Sequence, residues 1–233
     1  MTFAINKFFS PINIKSAGFL KMKVCEIFAS IQGESTYAGL PCVFVRMTGC
    51  NLRCSYCDTA YAYEEGIEMS GDEIFGEIKK HGINLVEITG GEPLLQRPQI
   101  GFLIDRLIQS GFKVLIETNG SISIRDINPA AVIIMDIKTP NSGMHEKFFI
   151  GNLDYLKPKD EVKLILTDRR DYEWAKEIIL QHDLISRCKV LMSPAYGILS
   201  PETLSEWIIA DRLKVRLNLQ LHKYIFGSER RGV

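Results

Sequence analysis

Three thiols stand at Cys50, Cys54 and Cys57, a C-x3-C-x2-C spacing inside the stretch Gly49–Thr59. Thiolates this close together must wrap one small object. Soft sulfur ligands select zinc, cuprous copper or an iron–sulfur cluster. A structural zinc site closes with four ligands, and a [4Fe–4S] cluster usually takes four cysteines. Here the local count stops at three, and the nearest histidine, His81, lies well downstream. In a zinc knuckle a ligand is missing. In a cluster, one iron lacks a protein ligand and is free to bind another molecule.

Other positions carry chemistry more weakly. Gly90-Gly91-Glu92-Pro93 follows an apolar run and by itself reads as a turn. Gln32-Gly33-Glu34, polar after an apolar stretch, suits a pocket loop. Arg46 lies in a strand-like run, and its guanidinium can grip a carboxylate with two parallel hydrogen bonds. Thr59 after Asp58 reads as an Asx-type turn. His222 reads as a structural histidine at a strand end, and His145 and His182 as surface residues. Cys25, Cys42 and Cys188 sit in apolar contexts and read as buried small hydrophobes.

The elements that position these residues alternate. An apolar stretch over 24–31 precedes the Gln-Gly-Glu loop. Strands are predicted over 42–48, 85–89, 113–117, 132–137, 161–167 and 189–192, with a half-exposed edge strand over 214–221. Helices are predicted from the capping box Ser70-Gly-Asp-Glu73 to about 81, and over 98–110, 171–181 and 201–210. Residues 139–159 read as irregular. Strands alternating with helices imply right-handed crossovers and a parallel sheet. A closed (β/α)8 barrel takes about 250 residues, and this chain shows few strong helices, so an α/β, partial, open barrel fits better. Sites in such folds collect at the carboxyl ends of strands. The loops 49–59, 89–93, 118–120, 136–138 and 193–197 all lie there.

The chain has 233 residues, 46% hydrophobic and 24% charged, with 28 basic and 28 acidic side chains and no net charge. The balance offers no electrostatic footprint for nucleic acid or an anionic membrane, and no apolar run is long enough to span a bilayer. Six cysteines, three of them clustered, with no evident signal peptide, favour a reducing, cytoplasmic setting with metal-binding thiols over disulfides. Residues 1–21 lack a clean period and read as an N-terminal extension. Met22 opens a single domain over 22–233.

The cysteine spacing resembles that of the radical S-adenosylmethionine (SAM) superfamily, and Gly90-Gly91-Glu92-Pro93 resembles its GGE element. The resemblance narrows through Ile31-Gln32-Gly33-Glu34, Phe44-Val45-Arg46, Gly49-Cys50-Asn51-Leu52-Arg53-Cys54, Cys57-Asp58-Thr59, Thr89–Pro93, Ile116–Gly120 and Gln220-Leu221-His222-Lys223-Tyr224. Together, from about residue 23 to the C-terminus, these resemble the 7-carboxy-7-deazaguanine synthase family. That resemblance implies an open TIM-like barrel of the radical SAM type with a reduced number of helices. It also implies a [4Fe–4S] cluster on Cys50, Cys54 and Cys57, SAM, and Mg2+ on Thr59. The implied reaction contracts the ring of 6-carboxy-5,6,7,8-tetrahydropterin, with loss of ammonia, in queuosine-type deazapurine biosynthesis. SAM contacts are implied for Tyr56 (adenine), Cys57, Asp58, Gly91, Asp136, Ile137 and Lys138, and for Ser193, Pro194, Ala195 and Tyr196. Substrate contacts are implied for Ile31, Gln32, Gly33, Arg46 and Thr89. The implied partners are a second copy in a homodimer and an electron donor such as flavodoxin or ferredoxin, without direct nucleic-acid binding. Two departures stand out. Asp136-Ile137 occupies a position that is often Ser-Pro in the family, where only Lys138 is kept, and Ile225–Val233 continues past the point where some relatives end. Another short radical SAM enzyme, such as a glycyl-radical activase, and a non-catalytic zinc-binding module are the rival readings.

Overall fold

One nine-stranded sheet organises the chain. The computed structural model describes residues 20–233, so the extension expected at residues 1–21 lies almost wholly outside the described residues. The strands are β1 (Lys21–Ile31), β2 (Pro41–Met47), β3 (Ile67–Ser70), β4 (Leu85–Gly90), β5 (Lys113–Thr118), β6 (Val132–Asp136), β7 (Glu161–Leu166), β8 (Lys189–Pro194) and β9 (Arg216–Leu217). Their spatial order is β3-β1-β2-β4-β5-β6-β7-β8-β9. From β2 to β9 every pairing is parallel, as alternation with helices predicts.

The N-terminal edge differs from that expectation. β1 pairs antiparallel with both β2 and β3. The apolar stretch predicted over 24–31 is a long strand whose first part alternates buried Met22 and Val24 with exposed Lys21 and Lys23. β3, Ile67–Ser70, too short for a periodic signal, is an edge strand with Ile67 exposed and Met69 packed against the main core. At the other edge, the strand predicted over 214–221 shrinks to Arg216–Leu217, and the chain turns instead into a short helix over Leu221–Phe226. The alternating KVRLNLQL pattern competes there with the docking of that helix, described below.

Helices are sparse, as the open barrel requires. α1 (Gly71–Lys80), α2 (Arg97–Gln109), α3 (Arg169–Gln181), α4 (Leu184–Arg187), α5 (Pro201–Ala210) and α6 (Leu221–Phe226) are separated by short 3-10 turns. The predicted capping box opens α1: the Ser70 hydroxyl accepts from the Glu73 N–H at 3.2 Å, and the Glu73 carboxylate accepts from the Ser70 N–H at 2.7 Å. No α-helix connects β5 to β6 or β6 to β7; three short 3-10 turns fill the second connection. No helix of the described residues is long and apolar enough to cross a membrane.

The two faces of the sheet divide the labour. Val45, Ile88, Ile116, Met135, Val162 and Met192 point to the helices and form the main core. On the opposite face the parallel register aligns Phe44 with Glu87, Glu87 with Leu115, Glu117 with Ile134, and Asp136 with Lys163. Side chains in register share a face, so this inner face carries charges, sealed below by the apolar floor Cys42, Phe44, Leu85, Leu115, Val132 and Ile134 with Phe28 and Tyr37 against it.

Candidate active site

A cavity of about 520 Å³ opens on the inner face at the carboxyl ends of the strands. The cysteine loop forms one side of it. Gly49, at φ +98°, turns the chain out of β2 in a conformation that favours glycine. The loop is then tied down along its length. The Gly49 N–H donates to the Ala62 carbonyl at 2.8 Å, the Ser55 N–H to the Ser142 carbonyl at 3.1 Å, and the Ser55 hydroxyl to the Asn141 carbonyl at 2.7 Å. Arg53 donates to the Cys50 and Leu52 carbonyls and stacks on Tyr63 at 4.1 Å. Cys50, Cys54 and Cys57 all line the cavity, and every one of the six cysteines is a free thiol. Cys42 and Cys188 are buried as expected, whereas Cys25 is only half-buried. Among the described residues no three His, Cys, Asp or Glu side chains converge as a single metal ion would need. A cluster spreads its thiolates over separate irons and does not ask for that convergence.

The glycine loop is built against the cysteine loop. A Cβ on Gly91 would lie 2.2 Å from the Gly49 carbonyl oxygen and 2.8 Å from Cys50 Cβ; a Cβ on Gly90 would strike the backbone of Met47 at 2.3 Å. The Gly91 and Glu92 N–H groups donate to the Met47 and Gly49 carbonyls at 3.2 and 2.7 Å. Glu92 points away from the cavity and is fully buried. Its carboxyl accepts from the Leu94 N–H, the Asn119 N–H and the Thr118 hydroxyl at 2.7–3.0 Å. Glu92 therefore latches the β4 and β5 exit loops together. Glu92→Ala strands these donors in a dry site, and the expected cost is about 2 kcal/mol of stability, read by urea unfolding. An unchanged midpoint would show that the latch is dispensable.

Beside the cysteines the cavity offers unmatched polar groups. The Tyr56 hydroxyl and Asp136 Oδ1 are buried without a hydrogen-bond partner among the described residues. Burial pushes the Tyr56 hydroxyl up to about 12. The other Asp136 oxygen accepts from Lys138 Nζ at 2.6 Å. Burial favours a neutral amine at Lys138, but Asp136 overcomes it and the ammonium is held above its usual range. Orphaned buried polar atoms beside three open thiols suit a polar cofactor bridging them. The donor set thus fits a cluster and a nucleoside-bearing amino acid.

The far end of the cavity holds a buried charge network that only the fold assembles. Lys163, 4% exposed in its side chain, donates to Glu34 at 2.8 Å and to Glu117. Glu117 also accepts from the Thr89 hydroxyl at 2.8 Å. Burial pushes the Glu117 carboxyl up, but the Lys163 ammonium overrides it and holds the group at about 2. Glu87 sits beneath, bonded to the Gln32 amide. At the rim, Arg46 donates from Nε to Glu26 at 2.7 Å, and Glu26 also accepts from the Tyr61 hydroxyl at 2.8 Å. Half of the guanidinium edge is thereby anchored.

Helix α6 closes the side wall. The Leu221 N–H donates to the Gly33 carbonyl at 2.8 Å, and a Cβ on Gly33 would collide with the His222 ring at 2.1 Å. Glycine at 33 is required by this approach. His222 lies in a helix, not at a strand end, and lines the cavity; burial lowers its pKa and favours the neutral ring. Lys223, 9% exposed, donates to Asp58 at 2.5 Å. Burial would raise the Asp58 carboxyl, but the Lys223 ammonium pulls it well below the usual range. The Asp58 carboxylate also accepts from the Thr59 hydroxyl at 2.9 Å. The tail folds back, with Arg231 stacked on Tyr61 at 3.7 Å and paired with Glu65 at 3.0 Å, so that Ser228 and Glu229 reach the cavity.

Of the residues singled out from sequence, the cavity gathers Ile31, Gln32, Gly33, Arg46, Thr89, Cys50, Cys54, Tyr56, Cys57, Asp58, Thr59, Gly91, Asp136, Lys138, Ala195 and Tyr196. Ile137, Ser193 and Pro194 do not line it. Ile137 is buried in the main core, and the Ser193 hydroxyl accepts from the Asn218 amide at 2.8 Å behind the wall. Sequence reasoning passed over Glu87 and Lys163, and placed Glu117, Gln220 and Lys223 in motifs without giving them a role. The available signal was a charged residue within an apolar strand run: Glu87 in LVEIT, Glu117 in KVLIET, Lys163 in EVKLIL. His145 and His182 are half-buried, and His145 packs edge-on against Trp174.

The sequence pattern of the radical SAM superfamily matches residues 44–157. A 7-carboxy-7-deazaguanine synthase from Koribacter versatilis is 46% identical over 226 residues, covering 91% of this chain and all of that protein. One from Chlorobaculum tepidum is 43% identical over 91% of this chain and 97% of that protein. The crystal structure of QueE from Escherichia coli superposes with a TM-score of 0.77 over 92% of this chain and all of that one, at 24% identity, which speaks to the fold. With its three free thiols, its glycine latch and full-length identity of this order, the chain belongs to the 7-carboxy-7-deazaguanine synthase family of the radical SAM superfamily.

Proposed function

We propose that this chain converts 6-carboxy-5,6,7,8-tetrahydropterin to 7-carboxy-7-deazaguanine with release of ammonia, a step of queuosine-type deazapurine biosynthesis. The observation that carries the reading is the two-ended cavity: three free thiols and orphaned polar atoms at one end, and a buried network of Gln32, Glu87, Glu117 and Lys163 with Arg46 at the other. The family's cofactors are a [4Fe–4S] cluster and SAM, which when bound would supply hydrogen-atom abstraction chemistry at the cysteine end of the cavity.

The chain's own residues bind, orient and exclude water. Cys50, Cys54 and Cys57 hold the cluster. Tyr56 faces the adenine, and Gly91, Asp58, Asp136, Lys138, Ala195 and Tyr196 surround the rest of SAM; Ile137, Ser193 and Pro194 support that wall from behind. Ile31, Gln32, Gly33 and Thr89 bind the heterocycle. Arg46 takes the substrate carboxylate with the guanidinium edge that Glu26 leaves free. Arg46→Lys keeps the charge but loses the bidentate grip, so KM is expected to rise by roughly tenfold with kcat less affected. An unchanged KM would remove Arg46 from the carboxylate. Thr59, beside Asp58, would supply oxygen to a Mg2+ ion, in keeping with the preference of Mg2+ for oxygen donors. A homodimer and a flavodoxin- or ferredoxin-type electron donor complete the reading.

The test is anaerobic incubation of the cluster-loaded protein with 6-carboxytetrahydropterin, SAM and reductant, with and without Mg2+, read by mass spectrometry. 7-Carboxy-7-deazaguanine is expected, with a rate that falls when Mg2+ is chelated. Formation of 5′-deoxyadenosine without that product rejects the substrate and leaves the superfamily chemistry standing.

A further inference from the structure

The amide of Gln32 is held at both ends. Its backbone is pinned first: the Gln32 N–H donates to the Leu40 carbonyl and its carbonyl accepts from the Gly39 N–H, both at 2.8 Å. Its side chain, 3% exposed, accepts through Oε1 from the Glu34 N–H at 2.7 Å and donates through Nε2 to Glu87 Oε2. The Glu34 N–H is a donor under all conditions, so Oε1 must face it and Nε2 must face Glu87. One Nε2 hydrogen and one Oε1 lone pair remain, side by side, on a residue that lines the cavity.

Glu87 lines the same cavity. It is 3% exposed, lies on β4 between Phe44 of β2 and Leu115 of β5, and has no cation within 4 Å among the described residues. Burial first, then the neighbouring Glu117, pushes its carboxyl well above the usual range.

We infer that Glu87 is a positioning residue that, together with the Glu34 N–H, holds the Gln32 amide in one polarity, and that this polarity makes the cavity selective for a lactam edge, an N–H beside a C=O. The inference rests on the pterin reading above and deepens it. A lactam N–H meets the Gln32 Oε1 and the lactam oxygen meets Nε2–H. The diamino analogue, with an amino group in place of the ring carbonyl and a bare ring nitrogen beside it, presents donor to donor and acceptor to acceptor. Turning the amide over to suit it would set Nε2–H against the Glu34 N–H.

The test measures binding by calorimetry under anaerobic conditions to the cluster-loaded enzyme. Its probes are 7-carboxy-7-deazaguanine and the corresponding diamino analogue. The wild type is expected to prefer the lactam by about a hundredfold or more, since a site built on buried hydrogen bonds rejects ligands that leave them unpaired. Glu87→Gln, which still accepts from Gln32, is expected to stay within about threefold of wild type. Glu87→Leu, or Glu87→Met should the leucine variant fail to take up the cluster, is expected to weaken lactam binding roughly tenfold and cut the preference below about tenfold. Combined with Gln32→Leu it adds no further loss, because both variants remove one interaction. Wild-type affinity and preference in the leucine and methionine variants, or losses that simply add, overturn the inference. A wild type that binds neither probe overturns the pterin reading, and the inference with it.

Discussion

Cys54→Ala protein is expected to leave anaerobic reconstitution without iron–sulfur absorbance and without any conversion of substrate. The cavity supplies three thiols, at Cys50, Cys54 and Cys57. Losing one leaves two ligands for four irons. No replacement is at hand: Cys25, Cys42 and Cys188 lie outside the cavity lining. Metal affinity in such sites depends on the full set of deprotonated ligands, so the loss is closer to complete than to graded. The loop should survive the substitution, because its shape comes from Gly49, from the bonds of Ser55 to residues 141 and 142, and from Arg53. Near-ultraviolet circular dichroism close to that of the unreconstituted wild type would confirm this. Retained absorbance and turnover would remove Cys54 from the ligand set. A colourless wild type that binds zinc stoichiometrically would sink the cluster altogether.

Lys163→Met is expected to cost about 3–5 kcal/mol at pH 7, the usual consequence of taking one partner from a buried ion pair. Two carboxylates, Glu34 and Glu117, then face each other across an apolar side chain. The pH dependence gives the prediction its sign. In the folded wild type Glu117 is held at about 2, below the ordinary glutamate value of about 4.3. A depressed carboxyl contributes stability that is complete above the unfolded value and is lost as pH falls through the folded one. Wild type should therefore lose this contribution between about pH 4.5 and pH 2, while the variant has none to lose. The gap in urea-unfolding free energy between the two should be widest at neutral pH and narrow on acidification. A gap that is constant from pH 7 to pH 3 would mean that Lys163 stabilises by packing alone. The double variant Lys163→Met/Glu117→Gln should recover part of the loss, since it removes a stranded charge along with its partner.

How much was legible beforehand depended on the range of each determinant. The Cys50-Cys54-Cys57 spacing, the capping box at Ser70–Glu73 and the apolar runs of β4 to β8 are encoded within a few residues of each other, so periodicity and spacing reveal them. The shortage of helices follows from segments such as 119–131 and 139–159, whose Pro, Gly and polar content cannot sustain an amphipathic turn. Those features determined an open parallel barrel with its chemistry at the strand ends.

The rest is decided by contacts between residues far apart in the chain. β1 and β3 join antiparallel because the edge of the sheet needs partners, which no local pattern announces. His222 reads as a strand end until α6 seats its ring against Gly33. Glu34, Glu117 and Lys163 look like isolated charges in sequence; the β5–β6–β7 register and the loop after β1 bring them together in the dark end of the cavity. Burial there is what converts three ordinary side chains into a coupled network, and burial is a property of the folded chain alone. The sequence determined that the three cysteines and the glycine loop would share one end of the cavity. Only the tertiary structure decided which charges would meet at its far end, because a charge acquires its energy from neighbours and solvent exclusion rather than from its place in the chain.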